Sequence, residues 1–208
     1  MGATLTPGEL VARARALADA GPRQLLGIVG APGSGKSSLA AELVAALGPA
    51  AALVPMDGFH LAEAELHRLG RHDRKGAIDT FDGAGYVALL RRLRAGGTET
   101  VYAPEFRREV EEPVAGAIPV PPSVRLVVTE GNYLLVPESP WGEVRRLLDE
   151  AWYLDVDEEE RLRRLTARHM TFGRDAVAAA ARARGSDQVN AELIAGTAHR
   201  RDLLVRLA

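Results

Sequence analysis

The strongest constraint on the fold is a glycine-rich motif that directly follows an apolar run. Residues 30–37 read Gly-Ala-Pro-Gly-Ser-Gly-Lys-Ser and match the pattern G-x-x-x-x-G-K-[ST] in full. The preceding residues 25–29 are continuously apolar, as in a strand that is buried on both faces. Residues 37–47 predict a helix that ends at Gly48. This order of strand, glycine loop and helix is the context in which the motif forms a cradle for phosphate groups.

Each residue type of the motif suits the binding of a nucleoside triphosphate. Its glycines let successive backbone N–H groups point inward as an anion nest, and the helix N-terminus adds partial positive charge. The Lys36 ammonium can reach the β- and γ-phosphates, and the Ser37 hydroxyl can ligate Mg²⁺. Lys36 and Lys75 are the only lysines in a chain that otherwise uses arginine, which makes their placement informative. The candidate nucleotide-binding residues are Gly30, Ala31, Pro32, Gly33, Ser34, Gly35, Lys36, Ser37 and Ser38.

Strands and helices alternate in much of the chain, which predicts an α/β fold. Apolar runs predict strands at residues 25–29, 52–56, 124–129, 152–155 and 203–207. Periodic and capped stretches predict helices at residues 9–20, 37–47, 62–69, 86–95, 141–149, 174–184 and 189–195. Strands separated by helices form parallel sheets, so we expect a five-stranded, mostly parallel sheet flanked by helices. A length of 208 residues suits one domain over residues 1–208.

Two stretches depart from this alternation. Residues 60–122 predict an insertion on the substrate side, and residues 98–122 within it are typical of a hairpin-like flap. Residues 158–185 predict a lid. Its long helix follows Asp157 as the N-cap, with Glu160 as the capping-box partner.

Three arginines on the lid helix could serve phosphoryl transfer. Arg161, Arg164 and Arg168 follow one another at spacings of three and four, so they share one helix face. Arginines on a closing segment neutralise charge on the transferred phosphoryl group and exclude water. The alternative is a solvated helix face on which the arginines pair with the acidic residues 158–160.

Two carboxylates stand where predicted strands end. Asp57 follows the second strand and Glu130 ends the third. In an open α/β sheet, chemistry gathers at the carboxyl ends of the strands, so both side chains could face the phosphate cradle. One carboxylate can hold Mg²⁺ and the other can accept a proton from an attacking hydroxyl. The alternative for either residue taken alone is a turn or helix cap.

Three further polar residues have two interpretations. His60 could contact a substrate or pack within a turn, and Asp79 and Asp82, taken alone, are typical turn or cap groups. Asp82 and Gly85 also match the D-x-x-G of GTPases. The match follows no apolar strand and the chain has no Asn-Lys-x-Asp for guanine, so we interpret it as chance.

Composition excludes several functional classes. A net charge of −2 and a pI near 6.2 give no electrostatic reason to expect nucleic-acid or membrane-surface binding. No apolar stretch has the length of a transmembrane span, and the chain has no cysteine for a disulfide, a thiolate zinc site or a nucleophile. The first residues lack the basic start and apolar run of a signal peptide, so we expect a cytoplasmic protein.

These motifs together resemble a known family. The chain is similar to the P-loop kinases that group uridine kinase, phosphoribulokinase and bacterial type I pantothenate kinase, and most similar to the branch labelled nucleoside/nucleotide kinase-like or fructose-transport-system kinase. The resemblance rests on residues 30–37, 56–61 (Met-Asp-Gly-Phe-His-Leu), 129–135 (Thr-Glu-Gly-Asn-Tyr-Leu-Leu) and the arginine helix from Arg161. Residues 76–82 and the flap around Tyr102 are similar to further motifs of this branch.

The resemblance implies roles for individual residues. It implies Asp57 as the catalytic base and Glu130 as the carboxylate on the metal side, with Lys36, Arg164 and Arg168 completing the catalytic set. The residues that it suggests near the acceptor are His60, Asp79, Asp82, Tyr102, Arg108 and Tyr133. The branch tends to have proline in place of Ile78 and an Asp-Arg pair in place of Arg107-Arg108, so the acceptor's identity stays open.

The sequence therefore predicts a P-loop kinase that uses ATP and Mg²⁺. We expect transfer of the γ-phosphoryl group to a hydroxyl of a small metabolite, which could be a nucleoside, a sugar or a pantothenate-like alcohol. The alternative is a nucleotide-dependent switch or chaperone without a small-molecule acceptor. The absence of a guanine-specificity motif and the insertion at residues 60–122 argue against this alternative. A homodimer is one arrangement that the sequence leaves open.

Overall fold

The computed structural model describes residues 5–171, 173 and 175–206. Its helices are α1 (Pro7–Asp19), α2 (Lys36–Leu47), α3 (Glu63–Arg68), α4 (Gly83–Ala95), α5 (Val144–Leu147), α6 (Glu158–Thr171), α7 (Ala176–Arg184) and α8 (Ser186–Gly196). Its strands are β1 (Gln24–Val29), β2 (Ala51–Leu53), β3 (Val101–Arg107), β4 (Glu112–Val120), β5 (Leu126–Gly131), β6 (Glu150–Leu154) and β7 (Leu203–Val205). The predicted strand at residues 203–207 includes Leu207, which lies outside the described residues.

Five strands form a parallel sheet in the order β2-β5-β1-β6-β7. The parallel register sets Ile28 of β1 beside Glu130 of β5, and Val29 beside Gly131. Strand β5 also pairs with β2, where Leu53 lies beside Val128. The prediction of a five-stranded parallel sheet flanked by helices is confirmed. The order of the strands places the ends of β1, β5 and β2 side by side.

Apolar side chains cover both faces of the sheet. One face packs on α4 and the segment around Trp141, through Leu25 and Val127 among others. The other face packs on α1 and α2, through Leu26 and Val128 among others. Every residue of β5 is buried, as expected for a central strand with helices on both sides.

Two predicted elements are shorter than expected. The strand predicted at 52–56 ends at Leu53, because Pro55 has no N–H for the ladder and Met56 opens a 3-10 turn. The helix predicted at 141–149 consists of a short 3-10 turn followed by α5, which ends at Leu147. Asp149 lies outside this helix, where its carboxylate accepts a hydrogen bond from the backbone N–H of Leu25 at 2.8 Å.

The stretch 60–122 divides between the core and the substrate side. Helix α4 belongs to the core, and Asp82 begins it as N-cap by accepting a hydrogen bond from the backbone N–H of Gly85 at 2.8 Å. Helix α3 and the turns that follow lie apart from the sheet. Strands β3 and β4 form the expected antiparallel hairpin.

Three helices, α6 to α8, form the region predicted as a lid. The Asp157 carboxylate caps α6 through the backbone N–H groups of Glu159 at 2.9 Å and Glu160 at 3.1 Å. The Glu160 carboxylate accepts hydrogen bonds from Arg163 and Arg164. Phe172 and Arg174, which the predicted lid includes, lie outside the described residues. Over the part of the chain described, no helix is long and apolar enough to cross a membrane.

Candidate active site

The glycine loop between β1 and α2 forms an open cradle. Gly33 and Gly35 have φ angles of +85° and +93°, which side chains rarely adopt, so glycine is needed at both turns. Helix α2 starts at Lys36 and its N-cap, Gly35, makes no side-chain capping hydrogen bond. The N–H groups of the first helical turn therefore have no side-chain cap, which fits a site for an anion.

Two serines of the cradle differ in their surroundings. The Ser34 hydroxyl is buried and has no hydrogen-bond partner among the described residues. The Ser37 hydroxyl donates a hydrogen bond to Oε1 of Glu130 at 2.9 Å. Ser38 lies exposed in the first turn of α2. A hydroxyl and a carboxylate in contact at the mouth of a phosphate cradle are oxygen ligands of the kind that Mg²⁺ prefers.

A tight turn brings Asp57 to the same place. Residues Met56–Phe59 form a 3-10 turn directly after β2, at the sheet edge where β5 also ends. A Cβ atom on Gly58 would lie 2.4 Å from the backbone oxygen of Pro104, so the turn packs directly on the hairpin. This close approach fixes the Asp57 turn between the sheet and the flap.

A cavity of about 170 Å³ joins these parts. The cradle contributes Lys36 and Ser37, the strand ends contribute Asp57 and Glu130, and α6 contributes Arg168. The other lining residues that bear on substrate binding are His60, Lys75, Gly76, Phe81, Phe106, Arg108, Asn132, His169, Arg182, Asp187 and Asn190. The structure therefore brings eight predicted site residues together: Pro32, Lys36, Ser37, Asp57, His60, Arg108, Glu130 and Arg168.

Burial and opposite charge act against each other at the centre of the cavity. Burial lowers the pKa of Lys36, while the Glu130 and Asp57 carboxylates act to raise it. Burial raises the pKa of Glu130, which is 6% exposed, and the Lys36 ammonium acts to lower it. The two groups thus compensate one another's desolvation, and an incoming phosphate would meet a cation that is already poorly hydrated.

The three lid arginines occupy different positions along α6. Arg161 is buried beneath the cradle, where it donates a hydrogen bond to the backbone oxygen of Pro32 at 3.4 Å and another to Gln188. Arg164 is 46% exposed and pairs with Glu160 at 2.6 Å. Arg168 lines the cavity, and both partial burial and the nearby Arg108 lower its pKa. The solvated-face interpretation therefore describes much of Arg164, but not Arg161.

His60 lies in the wall of the cavity. Its Nδ1 is 2.8 Å from the backbone oxygen of Asp57, and its ring packs on Phe81 and Phe106 with centroids 4.0 and 4.8 Å away. Burial lowers the pKa of His60, which favours the neutral ring. His60 thus packs within a turn, as one interpretation expects, and it also borders the cavity, so its contact with a substrate stays a prediction.

Four residues predicted near the acceptor lie elsewhere. Asp79 pairs with Arg74 and with Arg71, whose Nε is 3.4 Å away, and Asp82 caps α4. Tyr133 is buried in the core, and its hydroxyl donates to the backbone oxygen of Gly76 at 2.6 Å. Tyr102 is 58% exposed on β3. These four placements have a common cause: a motif fixes which residues are neighbours in sequence, but local backbone geometry decides which way each side chain points.

Several lining residues were not predicted. Asn132 follows β5, and its buried Oδ1 has no hydrogen-bond partner among the described residues. Asp187 of α8 pairs with His169 of α6 at 2.7 Å. Arg182 of α7 donates to backbone oxygens of Asp73 and Lys75 at 2.9 and 2.8 Å. Among these lining residues, Lys75 had a signal in the sequence, because it is one of only two lysines in the chain. The other lining residues reach the cavity through contacts between segments that are far apart in the sequence.

The sheet is parallel, the cradle after β1 is uncapped, and carboxylates lie at neighbouring strand ends. Together these features define a P-loop nucleotide-binding protein of the kinase type. Such a protein holds a nucleotide at the cradle and a second reactant across the cavity.

Known proteins are similar to the chain over most of its length. It is 36% identical over 174 residues to "Putative uridine kinase C227.14" of Schizosaccharomyces pombe, covering 79% of this chain and 74% of that protein. It is 37% identical over 146 residues to "ATP-dependent kinase-like protein notR'" of Aspergillus versicolor, covering 66% of this chain and 85% of that protein. No profile of a protein family matches the chain.

Solved structures agree. The crystal structure of the "putative fructose transport system kinase" from Silicibacter sp. TM1040 matches with a TM-score of 0.83 at 37% identity, covering 95% of this chain and 98% of that one. The chain therefore belongs to the uridine kinase-like family of P-loop kinases, which its sequence motifs also indicated, and it is an ATP-dependent kinase of that family.

Replacing Arg161 tests its position beneath the cradle. Arg161→Met keeps much of the side-chain volume but removes the hydrogen bonds to Pro32 and Gln188. We expect the free energy of unfolding to fall by about 1–3 kcal/mol and the KM for ATP to rise. The control is Arg163→Met on the same helix, where the exposed side chain pairs with Glu160 and its loss should cost roughly 0–1 kcal/mol. Equal denaturant midpoints for the two variants would contradict this placement.

Proposed function

We propose that the protein transfers the γ-phosphoryl group of ATP to a hydroxyl of a small molecule, with Mg²⁺ as the metal. The observation that carries the proposal is the shared cavity. It connects Lys36 and Ser37 of the cradle with Asp57, and residues from the hairpin and helices α6 to α8 close around it. A switch protein would need the cradle but not an acceptor cavity beside it.

The residues at the cradle fit a magnesium ion. Ser37 Oγ and Glu130 Oε1 are 2.9 Å apart, and both are oxygen donors. We propose that they hold the ion, directly or through water, with Glu130 ionised when the metal is bound. The ion neutralises charge on the β- and γ-phosphates when it is bound.

Lys36 and Arg168 would stabilise the charge on the transferred group from two sides. Lys36 approaches from the cradle as a compact ammonium, and Arg168 approaches from α6 as a planar guanidinium. Both are already positioned around one cavity, so little reorganisation is needed as charge develops. The closing helices also exclude water, which favours transfer to an acceptor over hydrolysis.

We propose Asp57, which lines the cavity, as the base. The acceptor oxygen attacks the γ-phosphorus, the bond from that phosphorus to the bridging oxygen of ADP breaks, and the Asp57 carboxylate takes the hydroxyl proton. Glu130 is the less suitable base, because it is engaged with Ser37 and is almost fully buried.

The nucleoside part of ATP has a separate groove on the other side of the cradle. This groove of about 640 Å³ is lined by Ser34, Leu154, Val156, Arg164 and Arg206 among others. Its position beyond the cradle and at the end of β6 suits the base and the sugar. In this arrangement Arg164 lies beside the nucleoside rather than beside the transferred phosphoryl group.

Acceptor-dependent release of ADP tests the proposed function. We expect release to be slow with ATP and Mg²⁺ alone, and to rise when a suitable hydroxylated metabolite is added. Lys36→Ala should abolish the rise with the unfolding midpoint largely retained, because the ammonium serves the phosphates. If the rate of ADP release is unchanged by every metabolite but rises when a protein partner is added, the nucleotide-dependent switch is favoured instead.

Asp57→Asn separates the base from the metal ligand. The variant keeps the shape and most hydrogen bonds but cannot accept the proton, so kcat should fall roughly 10²- to 10⁴-fold. The KM for ATP should change little. If instead ATP binding collapses while turnover at saturation persists, Asp57 is a metal ligand and its role exchanges with that of Glu130.

The two lid arginines should differ in their kinetic effects. Arg168→Ala removes a cation from the cavity, so kcat should fall about 10²-fold or more at little cost in KM for ATP. Arg164→Ala removes an exposed side chain on the nucleoside side, so KM for ATP should rise while kcat stays within a few-fold. Steady-state kinetics on both variants decides the assignment, and a loss of kcat in Arg164→Ala alone would reverse it.

A further inference from the structure

The side chains around the cavity carry an excess of positive charge. Among the described residues, five lining side chains are basic, namely Lys36, Lys75, Arg108, Arg168 and Arg182. Three are acidic, namely Asp57, Glu130 and Asp187. Nucleotide chemistry accounts for some of these charges but not for all of them.

Several charges have partners that explain them. Lys36 and Arg168 face the phosphates of ATP, and Glu130 faces the metal. Asp187 pairs with His169 at 2.7 Å. Lys75 pairs with Glu63 and lies 3.5 Å from a carboxylate oxygen of Glu111, and neither of these acids lines the cavity. Arg108 and Arg182 also line the cavity, and neither belongs to the cradle or to α6.

Arg182 reaches the cavity from α7 without a carboxylate among its described hydrogen-bond partners. Its two guanidinium NH₂ groups donate to the backbone oxygens of Asp73 and Lys75, which hold the group in place but carry no net charge. Since two N–H groups of the guanidinium donate to these carbonyls, its other N–H groups are available for a ligand. A positioned, charged and incompletely used guanidinium is the usual means by which proteins bind carboxylate or phosphate.

Arg108 approaches from a different element. It follows β3 in the hairpin turn and lines the cavity. Its charge acts to lower the pKa of Arg168, Lys36 and His60, so it lies close enough to repel the cations of the cavity. Like charges brought together from a hairpin and two helices are stabilised when an anion binds between them.

The size and the aromatic lining argue against a large neutral acceptor. A volume of about 170 Å³ is below the roughly 300–1,000 Å³ of pockets for drug-sized ligands. The aromatic rings are engaged with one another: the His60 ring packs on Phe81 and Phe106, and the Lys75 ammonium lies 4.9 Å from the Phe106 centroid. These contacts occupy part of the ring surface on which a nucleobase would stack.

We propose that the acceptor is a compact hydroxy compound that carries a carboxylate or a phosphate, and that Arg108 and Arg182 bind this anionic group. The inference rests on the proposed kinase function and specifies its substrate class. The unpartnered Oδ1 of Asn132 is available to accept a hydrogen bond from a second hydroxyl of the acceptor. With its anionic group at the arginines, a short acceptor can present the reacting hydroxyl to Asp57.

Charge-matched pairs of acceptors test the proposal. ADP release is measured with ATP, Mg²⁺ and either member of a pair: D-glycerate against glycerol, and ribose 5-phosphate against ribose, with uridine as the large neutral acceptor. We expect kcat/KM for one anionic compound to exceed that of its neutral parent at least 100-fold. The first pair tests a carboxylate and the second pair tests a phosphate, so the preferred pair identifies the anionic group.

Single substitutions test the assigned residues. Arg108→Gln and Arg182→Gln should each raise the KM for the anionic acceptor about 10- to 100-fold, as expected for a lost hydrogen bond between charged groups. The KM for ATP should stay within about two-fold. The matched controls are Arg107→Gln, on the same hairpin but paired with Glu105, and Arg184→Gln, exposed on the same helix as Arg182. Both controls should behave as wild type.

Calorimetric binding in the presence of Mg²⁺ and a non-hydrolysable ATP analogue gives a readout that needs no turnover. Filling the cradle with the analogue leaves the acceptor side as the site for D-glycerate or ribose 5-phosphate. If the anions bind and both Arg108→Gln and Arg182→Gln weaken this binding, the result supports the anion site. This holds even if no compound of the panel is phosphorylated, because a lack of phosphorylation would count against the kinase function alone. If uridine or the neutral parents are phosphorylated as efficiently as the anions, the proposed substrate class is overturned. The proposed kinase function is then still supported. Absence of both binding and turnover of the anions overturns the proposal.

Discussion

A buried carboxylate sets the geometry on which the site depends. Glu130 lies near the end of β5, an interior strand of the sheet, and only 6% of its surface is exposed. A buried charge is costly unless it is paired and hydrogen-bonded. Its partners come from the cradle, where Ser37 donates a hydrogen bond and the Lys36 ammonium offsets the effect of burial on the Glu130 pKa. The cradle and the sheet are therefore joined by the same groups that would meet the phosphates and the metal.

The order of the strands extends this arrangement to Asp57, the proposed base. Strand β5 lies between β1 and β2, so the loop after β1 and the turn after β2 flank Glu130 on its two sides. The first carries Lys36 and the second carries Asp57. The parallel direction of all three strands brings these groups to one edge of the sheet. The proximity of the cradle and the two carboxylates thus follows from the strand order.

The local patterns predicted this half of the site well. The strand before Gly30, the cradle and the strand ends at Asp57 and Glu130 all depend on neighbours in sequence, and the parallel sheet follows from their alternation with helices. The acceptor side depends on contacts between distant segments. The Gly76 carbonyl accepts hydrogen bonds from Tyr133 and from Asn190, which are 57 and 114 residues away in the chain. No periodicity or short motif encodes such contacts. The structure places Asp79 and Asp82 outside this cavity for the same reason, since Asp79 pairs with arginines and Asp82 caps α4.

Helix α6 links the two halves of the site mechanically. Arg161 and Arg168 are seven residues apart, so they share a face but are separated by about 10 Å along the helix axis. The first contacts the backbone of Pro32 beneath the cradle, and the second lines the acceptor cavity. A Cβ atom on Gly33 would lie 2.8 Å from the backbone oxygen of Arg161, so the cradle rests directly on this helix. Because an intact helix moves as a unit, a movement of α6 that displaces the backbone of Arg168 also disturbs the contact of Arg161 with the cradle. One helix thereby sets the position of both side chains.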